Sequence, residues 1–273
     1  MITPTGKIVG NARRGVGAFN VIQIEHAEAI VAGAEKAGTP VILQVSENAV
    51  RYHGALEPLA HATLAVARGS SAPVAVHLDH ATDVELVRRA VDLGFGSVMY
   101  DASAMSYMDN VAATAAVVRD CHAHGVYVEA ELGEVGGKDG VHAPGVRTNP
   151  AEAAEYVAAT GVDALAVAVG TSHAMLTRDA TVDFGLIERI AATVPVPLVL
   201  HGSSGVPDDD LRRAVTAGMT KVNIATQLNK AFTAAVRAFL ESNPAVVDTR
   251  KYLGAGRDAV AEEVARLLTI LAG

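Results

Sequence analysis

The chain has 273 residues, of which 50% are hydrophobic, 19% are charged and none is tryptophan. Aliphatic residues supply nearly all of the apolar content, which suits buried parallel strands covered by Ala-rich helices in one large domain. The formal net charge of −8 opposes the large basic surface that a phosphate backbone requires, so nucleic acid is excluded as an expected partner.

The N-terminal residues and the single cysteine bear on the cellular setting. Residues 1–7 lack a charged segment followed by an apolar one, and later apolar runs are only as long as strands. We therefore expect a soluble, cytoplasmic protein without a membrane partner. Cys121 is the only cysteine, so no intramolecular disulfide can form, and its helical setting favours a buried structural thiol.

Short apolar runs alternate with amphipathic stretches along nearly the whole chain, a pattern typical of repeated βα units. Eight runs are predicted strands, at residues 16–20, 41–45, 74–78, 97–100, 126–131, 164–169, 198–200 and 221–224. Helices are predicted between them, for example at 25–37, 84–93 and 151–160. Gly38-Thr39-Pro40 ends the first of these, and Asn149-Pro150 begins the third. The prediction is an α/β fold, a single (β/α)8 TIM barrel over residues 1–273.

Polar residues follow each predicted strand, where barrel enzymes build their sites. In chain order they are Asn20, Gln44 and Ser46, Asp79 and His80, Asp101 and Ser103, Glu129 and Glu131, residues 171–173, residues 201–204, and Asn223 with Thr226. Because this concentration recurs at all eight strands, we expect one functional site at the barrel mouth.

Three of the ten histidines, His80, His173 and His201, lie just after predicted strands three, six and seven. A single such histidine is more often a hydrogen-bonded core or loop residue, but the shared placement of three favours a metal site. Neutral imidazoles suit zinc, and a catalytic site keeps one position open. The other histidines are interpreted as surface or capping residues (His26, His53, His61, His122, His124 and His142) and as a core residue or support for a ligand (His77).

Two acidic residues accompany this cluster. Asp79, beside His80, either transfers protons on a bound substrate or orients a ligand imidazole. Glu131 is either an occasional metal ligand or a hydrogen-bond acceptor for one, and the sequence leaves both readings open. The glycine-rich, charged stretch 133–140 follows strand five and is either a loop that closes over substrate or a solvated one.

A phosphate site is predicted after strands seven and eight. The small residues of His201-Gly202-Ser203-Ser204-Gly205-Val206-Pro207 let backbone N–H groups approach an anion, and a helix starts near Asp208. Asn223-Ile224-Ala225-Thr226 opens another helix. Loops at these two positions often bind phosphate in barrels, because N–H groups and helix dipoles favour negative charge.

Six motifs carry a resemblance to a known family. They are Gly17-Ala18-Phe19-Asn20-Val21, His77-Leu78-Asp79-His80, Val128-Glu129-Ala130-Glu131-Leu132-Gly133, Gly170-Thr171-Ser172-His173, Leu200-His201-Gly202-Ser203-Ser204-Gly205 and Lys221-Val222-Asn223. From about Gly15 to the C-terminal helix, the chain resembles the class II, zinc-dependent ketose-bisphosphate aldolases, which include fructose- and tagatose-bisphosphate aldolases.

The resemblance implies a role for each matching residue. It implies one zinc per chain on His80, His173 and His201, with Glu131 nearby and Asp79 as the acid/base. The implied substrate and phosphate contacts are Asn20, Gly202, Ser204, Asn223 and Thr226, with Ser46 and Arg257 at the far phosphate. A monovalent cation, Na⁺ or K⁺, is implied near Asp101. The resemblance also implies that Asp139, in the glycine-rich stretch 133–140, is a catalytic acid. In this chain, however, Lys138-Asp139 replaces the family's usual pair of acids.

Two further departures from the family pattern fall near the second ligand. Ala174 stands where a glycine is usual, and Thr177-Arg178 stands where many fructose enzymes place a lysine. Ala225 matches the residue that tagatose-cleaving relatives carry, whereas fructose-cleaving relatives commonly carry a carboxylate or an amide there.

The implied activity is reversible cleavage of a ketose 1,6-bisphosphate to dihydroxyacetone phosphate and glyceraldehyde 3-phosphate through a zinc-bound enediolate, in a homo-oligomer, either a dimer or a tetramer. Three alternatives remain. They are an aldolase of the same family acting on another phosphorylated ketose, a Schiff-base aldolase using Lys221, and a non-catalytic barrel that serves as a partner subunit. The intact triad and Asp79 argue against the last.

Overall fold

Eight parallel strands close into a barrel, in the order β1 to β8 with β8 paired to β1. The computed structural model describes residues 2–10, 12, 14–132, 147–173 and 175–273. The strands are β1 (Val16–Asn20), β2 (Val41–Ser46), β3 (Val74–Ala81), β4 (Ser97–Tyr100), β5 (Tyr127–Glu131), β6 (Ala164–Ala166), β7 (Leu198–Leu200) and β8 (Met219–Ile224). Parallel strands need crossover connections, and helices occur in each of them. The predicted (β/α)8 fold is confirmed.

Helices cover the outer wall of the barrel, and one of them closes the end at which the strands begin. In the described residues they are α1 (Thr5–Gly10), α2 (Ile24–Ala37), α3 (Glu47–His53), α4 (Glu57–Gly69), α5 (Val84–Leu93), α6 (Tyr107–Ala123), α7 (Pro150–Thr160), α8 (Phe184–Thr193), α9 (Asp208–Ala217), α10 (Thr226–Ser242) and α11 (Thr249–Ala272). As predicted, Gly38 ends α2 in the left-handed conformation and Asn149 caps the start of α7. No helix in the described part of the chain is both long enough and apolar enough to cross a membrane.

Five strands differ from the sequence prediction: β2, β5 and β8 by one or two residues at one end, and β3 and β6 by three residues. β3 continues to Ala81, because its pairing with β2 persists to Ser46 and Asp79, and its register with β4 shifts between Leu78 and Ala81. β6 ends at Ala166 although the buried apolar run continues to Val169. The reason is that the Ala168 N–H donates to the Thr148 hydroxyl (2.8 Å) instead of to a neighbouring strand.

The apolar core divides into layers that leave the mouth of the barrel polar. The large outer cluster fills the space between strands and helices. Inside the barrel, Val16, Ala18, Ile42 and Ala75 pack against α1, which closes the N-terminal end. Polar side chains that point inward therefore lie above an apolar floor, towards the carboxyl ends of the strands.

The interpretation of His26 as a surface or capping residue is wrong, whereas the prediction that Cys121 is buried is confirmed. His26 lies on α2, is 4% exposed, and stacks on the Phe232 ring of α10 with a centroid distance of 5.1 Å. The sequence around His26 resembles a solvated helix face, but α10 and α11 return to cover it. The burial of His26 is a consequence of tertiary packing.

Candidate active site at the barrel mouth

The three predicted ligand histidines converge above the barrel. The ring centroid of His80 lies 4.6 Å from that of His201 and 5.1 Å from that of His173, and the last two are 5.8 Å apart. One nitrogen from each ring lies within 4.8 Å of the others. Three convergent imidazole nitrogens match the donor set of a catalytic zinc site, which leaves a fourth position for water or substrate. The residues present therefore fit the ion.

His80 reaches the cavity through an unusual backbone conformation. Its φ of 50° is the only positive value at a non-glycine residue in the described part of the chain. Successive side chains of a strand point to opposite faces, yet Asp79 and His80 both line the same cavity. The left-handed turn and the register shift against β4 explain how both do so.

The His80 ring is oriented by Asp101. The Nδ1 of His80 lies 2.7 Å from Oδ2 of Asp101, and Oδ1 of the same carboxylate accepts a hydrogen bond of 2.5 Å from the Ser103 hydroxyl. With Nδ1 engaged, Nε2 is the nitrogen of His80 available to a metal. His80, Asp101 and Glu131 also form a second group of convergent donor atoms.

His201 is fully buried between two carboxylates. Its Nε2 lies 2.9 Å from Oε1 of Glu129, and its Nδ1 lies 3.2 Å from Oε2 of Glu131. Burial by itself lowers the pKa of His201, but the hydrogen bonds and charges of Glu129 and Glu131 outweigh it and raise that pKa to about 9. Glu131 therefore adjoins the ligand cluster, as either sequence reading requires.

Lys221 is buried inside the barrel in an ion pair. Its Nζ lies 2.8 Å from Oε2 of Glu129, and both side chains are 1% exposed. Burial by itself raises the pKa of Glu129, but the Lys221 charge and the His201 hydrogen bond hold it well below its usual range. An ammonium held in an ion pair is not a nucleophile, so this contact argues against the Schiff-base alternative.

Two amides hold the Asp79 carboxylate in place. Asn20 donates to its Oδ2 (3.0 Å), and Asn223 donates to its Oδ1 (3.4 Å). Gln44 donates in turn to the Asn20 side-chain oxygen (2.8 Å). Burial by itself raises the pKa of Asp79, but the charges of His80, Lys221 and His201 outweigh it and lower that pKa to about 2. Asp79 is thus ready to accept a proton.

A cavity of about 410 Å³ joins these groups. Nine of the predicted site residues line it: Asn20, Ser46, Asp79, His80, His173, Gly202, Ser204, Asn223 and Thr226. One end is formed by the loops after β7 and β8, and the other by the residues that follow β2 and β3. His80, His173 and Asp79 lie on this lining, whereas His201 is fully buried and does not line it, so a bound ligand contacts two of the imidazoles and Asp79.

The loops after β7 and β8 form one unit at the first end. Residues Ser203–Gly205 make a short 3-10 helix, and the Ser204 hydroxyl accepts hydrogen bonds from the N–H groups of Ala225 (3.4 Å) and Gln227 (3.3 Å). These N–H groups belong to the start of α10, a helix of 17 residues. The helix dipole favours an anion at this N-terminus.

Some predicted residues do not reach this cavity. Arg257 lies on α11, where its guanidinium is 3.4 Å from Glu28 and 3.2 Å from Asp258. Arg178, at the departure after His173, donates to the Val206 carbonyl and pairs with Asp208 at 2.5 Å. Asp101 and Glu131 lie behind the histidines rather than on the lining. Asp139, Ala174 and the glycine-rich stretch 133–140 lie outside the described residues.

The sequence analysis missed four lining residues at the second end: Glu47, Asn48, Arg51 and Thr82. The Glu47 carboxylate accepts a hydrogen bond from the Thr82 N–H (2.6 Å) and pairs with Arg51. The available signal was their position directly after β2 and β3, since the carboxyl ends of strands carry barrel sites. The prediction stopped at Ser46 because α3, which carries three of them, follows without a loop.

A closed parallel barrel with convergent imidazoles and an ionised carboxylate at its mouth defines a (β/α)8 enzyme with a candidate metal centre. A family profile described as "Fructose-bisphosphate aldolase class-II" matches residues 7–273. The chain belongs to this class II aldolase family, whose members are generally metal-dependent lyases acting on a sugar bisphosphate.

Individual relatives agree with this assignment. The chain is 42% identical to the fructose-bisphosphate aldolase of Geobacillus stearothermophilus, over 93% of this chain and 91% of that one. It is also 42% identical to the fructose-bisphosphate aldolase of Thermus caldophilus, over 92% and 90% of the two chains. Among solved structures, the YdjI aldolase of Escherichia coli K12 superposes with a TM-score of 0.88 at 31% identity, over 99% and 97% of the two chains.

Proposed function

We propose that this aldolase reversibly cleaves fructose or tagatose 1,6-bisphosphate into dihydroxyacetone phosphate and glyceraldehyde 3-phosphate, with zinc held by His80, His173 and His201. The observation that carries the proposal is the convergence of three imidazoles beside an ionised Asp79, at a cavity that His80, His173 and Asp79 line. The relatives named as fructose-bisphosphate aldolases support the substrate class.

Zinc, when bound, supplies Lewis acidity that stabilises negative charge developing on the oxygens of the ketose. The chain's own residues determine which nitrogens face the ion. Asp101 engages Nδ1 of His80 and Glu129 engages Nε2 of His201, so each ring presents its other nitrogen. We assign Glu131 as a neighbour of the ion, and we place the monovalent cation near Asp101.

Asp79 is the proposed proton carrier. Because its pKa is lowered, it begins as a carboxylate and accepts the proton of the C4 hydroxyl as the C3–C4 bond breaks. The resulting carboxylic acid returns that proton to C3 of the three-carbon fragment, so no proton is gained or lost overall. Asn20 and Asn223 hold both carboxylate oxygens in place during these transfers.

The two ends of the cavity suit the two phosphates of such a substrate. Gly202, Ser204 and Thr226 provide the first end, where the N-terminus of α10 favours an anion. Ser46 lies at the other end, and Arg51 is the only lysine or arginine among the described residues that line the cavity. Arg51 pairs with Glu47 through one nitrogen, and the other N–H donors of its guanidinium suit a second anionic group at that end.

A substrate panel tests the activity. Zinc-loaded protein is incubated with fructose 1,6-bisphosphate, tagatose 1,6-bisphosphate and the corresponding monophosphates, and triose phosphate release is measured. We expect release from the bisphosphates. Release from neither of them, with full zinc occupancy, would overturn the proposed substrate.

Metal analysis tests the zinc site. His173→Ala removes one of three ligands and is expected to lose most of its zinc, whereas wild type retains about one ion per chain. His124→Ala is the matched control, since His124 is exposed and bonded to the Asp120 carbonyl. Full zinc occupancy in His173→Ala would refute the ligand assignment.

A further inference from the structure

A group of buried charged and polar side chains lies inside the barrel behind His201. Glu129 projects from β5 and Lys221 from β8, and they pair although they are 92 positions apart in the chain. Below them His77 approaches Glu129 at 3.9 Å and bonds to Ser97 at 2.8 Å. Neither Glu129 nor Lys221 lines the cavity, so neither contacts the substrate.

Glu129 bridges Lys221 and His201 with its two oxygens. Oε2 accepts from Nζ of Lys221 at 2.8 Å, and Oε1 lies 2.9 Å from Nε2 of His201. Because its Oε2 pairs with the Lys221 ammonium, Glu129 is a carboxylate that can only accept, so Nε2 carries the proton of this hydrogen bond. The other nitrogen, Nδ1, faces the side of Glu131 and the ligand cluster.

Stability alone does not account for this pair. Moving a carboxylate and an ammonium out of water is costly, and apolar residues of similar volume often replace a buried pair without loss of stability. A buried carboxylate that bonds a ligand histidine has a different use, because it fixes the tautomer and orientation of the ring. The second partner, Lys221, holds that carboxylate in place through their buried ion pair.

We propose that Lys221 and Glu129 are positioning residues that hold His201 with Nδ1 turned towards the metal. The inference rests on the proposed zinc site and deepens it. Lys221 acts on Glu129, Glu129 acts on the His201 ring, and only the ring contacts the ion. Lys221 thereby has a positioning role at a metal site, which differs from the nucleophilic role that a lysine has in Schiff-base chemistry.

Two double variants test the chain of contacts. Glu129→Gln/Lys221→Met removes both charges but keeps an amide oxygen that accepts from His201, and we expect zinc affinity to fall about tenfold. Glu129→Leu/Lys221→Met also removes the acceptor, and we expect a loss of about a hundredfold, the upper range for lost partners of metal ligands. Affinity is measured by competition with a chelator at fixed pH.

Cobalt substitution separates positioning from general destabilisation. The visible spectrum of bound Co²⁺ depends on the ligand geometry, so both double variants should show shifted bands at saturating metal, with the larger shift in the leucine variant. Leu64→Ala is the control, because Leu64 is a buried residue of α4 and does not line the cavity. It should lower thermal stability while leaving the cobalt spectrum and the zinc affinity unchanged.

The outcomes are distinguishable. A wild-type protein that binds no stoichiometric zinc would overturn the proposed metal site itself. If wild type binds zinc, the positioning role alone is tested by the double variants. Either double variant with a zinc affinity within about twofold of wild type and the same cobalt spectrum would overturn that role. If the leucine variant does not fold, the glutamine variant decides by the same criterion. An equal loss of affinity in Leu64→Ala would also overturn the role.

Discussion

At His80 the left-handed backbone conformation places a side chain where a regular strand would not. Such a conformation costs about 1–2 kcal/mol at a non-glycine residue, so the surrounding structure must enforce it. The Asp101 contact and the extended pairing of β3 with β2 provide that enforcement. The strain is concentrated at a candidate metal ligand, which is where a fold commonly retains it.

Replacing Asp79 with asparagine separates metal binding from proton transfer. The amide keeps the size of the side chain but cannot carry the proton, so Asp79→Asn should retain zinc and lose roughly two to four orders of magnitude in turnover. Asp92→Asn, at a surface position of α5, is the control and should match wild type. Near-normal turnover in Asp79→Asn would assign Asp79 to orientation only.

Ala225 is expected to influence the choice of sugar. It lines the cavity beside Ser204, and its methyl group cannot distinguish hydroxyl configurations at C4. We expect wild type to cleave both bisphosphates, and Ala225→Asp to shift the ratio of kcat/KM towards fructose by about 1–3 kcal/mol, the scale of one buried hydrogen bond made or denied.

The control for this substitution is Ala225→Val, which adds apolar volume without a hydrogen-bonding group and should not favour fructose. Both sugars are measured on all three proteins. A wild type confined to fructose, with a ratio that Ala225→Asp leaves unmoved, would remove Ala225 from the specificity determinants.

At the scale of elements, the segments that carry His173 and His201 are joined by several contacts. The Ala180 N–H donates to the Gly205 carbonyl (3.0 Å), and the Thr171 hydroxyl donates to the His201 carbonyl (2.7 Å). Arg178 donates to the Val206 carbonyl (3.0 Å). The loops after β6 and β7 are therefore held together, and two of the three candidate ligands belong to them.

Gly202 allows the backbone of the loop after β7 to lie close to the backbone of the loop after β6. Its φ is 64°, and a Cβ there would meet the carbonyl carbon and oxygen of Ser172 at 2.6 Å. Gly202→Ala should therefore displace the backbone next to His173, weaken zinc binding and raise KM. We expect it to lower the free energy of unfolding by roughly 2–4 kcal/mol.

Gly38 provides a matched control, since it has the same φ of 64° but a Cβ there meets nothing within 4 Å. Gly38→Ala should show only the left-handed strain, about 1–2 kcal/mol, with zinc affinity and KM unchanged. Urea unfolding, chelator competition and steady-state kinetics compare the two. Equal effects of both substitutions on zinc and KM would contradict the close-contact argument.

At the scale of the whole molecule, the proposed chemistry predicts the response to two reagents. A chelator should abolish activity, added zinc should restore it, and borohydride with substrate should leave the protein active because Lys221 is held in its ion pair. Metal removal should also lower the free energy of unfolding by about 2.7 kcal/mol when zinc is present at a hundred times its dissociation constant. Borohydride inactivation with resistance to the chelator would reverse the assignment.

The dimer or tetramer expected from the family resemblance stays a prediction, and light scattering on the purified protein measures it. The single domain expected over residues 1–273 and the cytoplasmic location also stay predictions.

Local patterns along the chain are enough to predict the barrel and most of the lining of its mouth. These patterns are apolar runs of strand length, each followed by polar residues. Because the strands of a barrel are parallel, all of their carboxyl ends lie on one side. That is why His80, His173 and His201 could be grouped from their positions alone. The helix boundaries at Gly38 and Asn149 are equally local, since each depends on the conformation of one residue.

How those side chains are held follows only from the packing of remote segments. The turn at His80, the Glu129–Lys221 pair across the barrel, the burial of His26 under α10 and the pairing of Arg257 on α11 all depend on residues far apart in the chain. Arg51 entered the site because α3 follows β2 without a loop. Propensity and periodicity describe a residue and its near neighbours, whereas the orientation, burial and charge of a side chain are set by the elements packed against it.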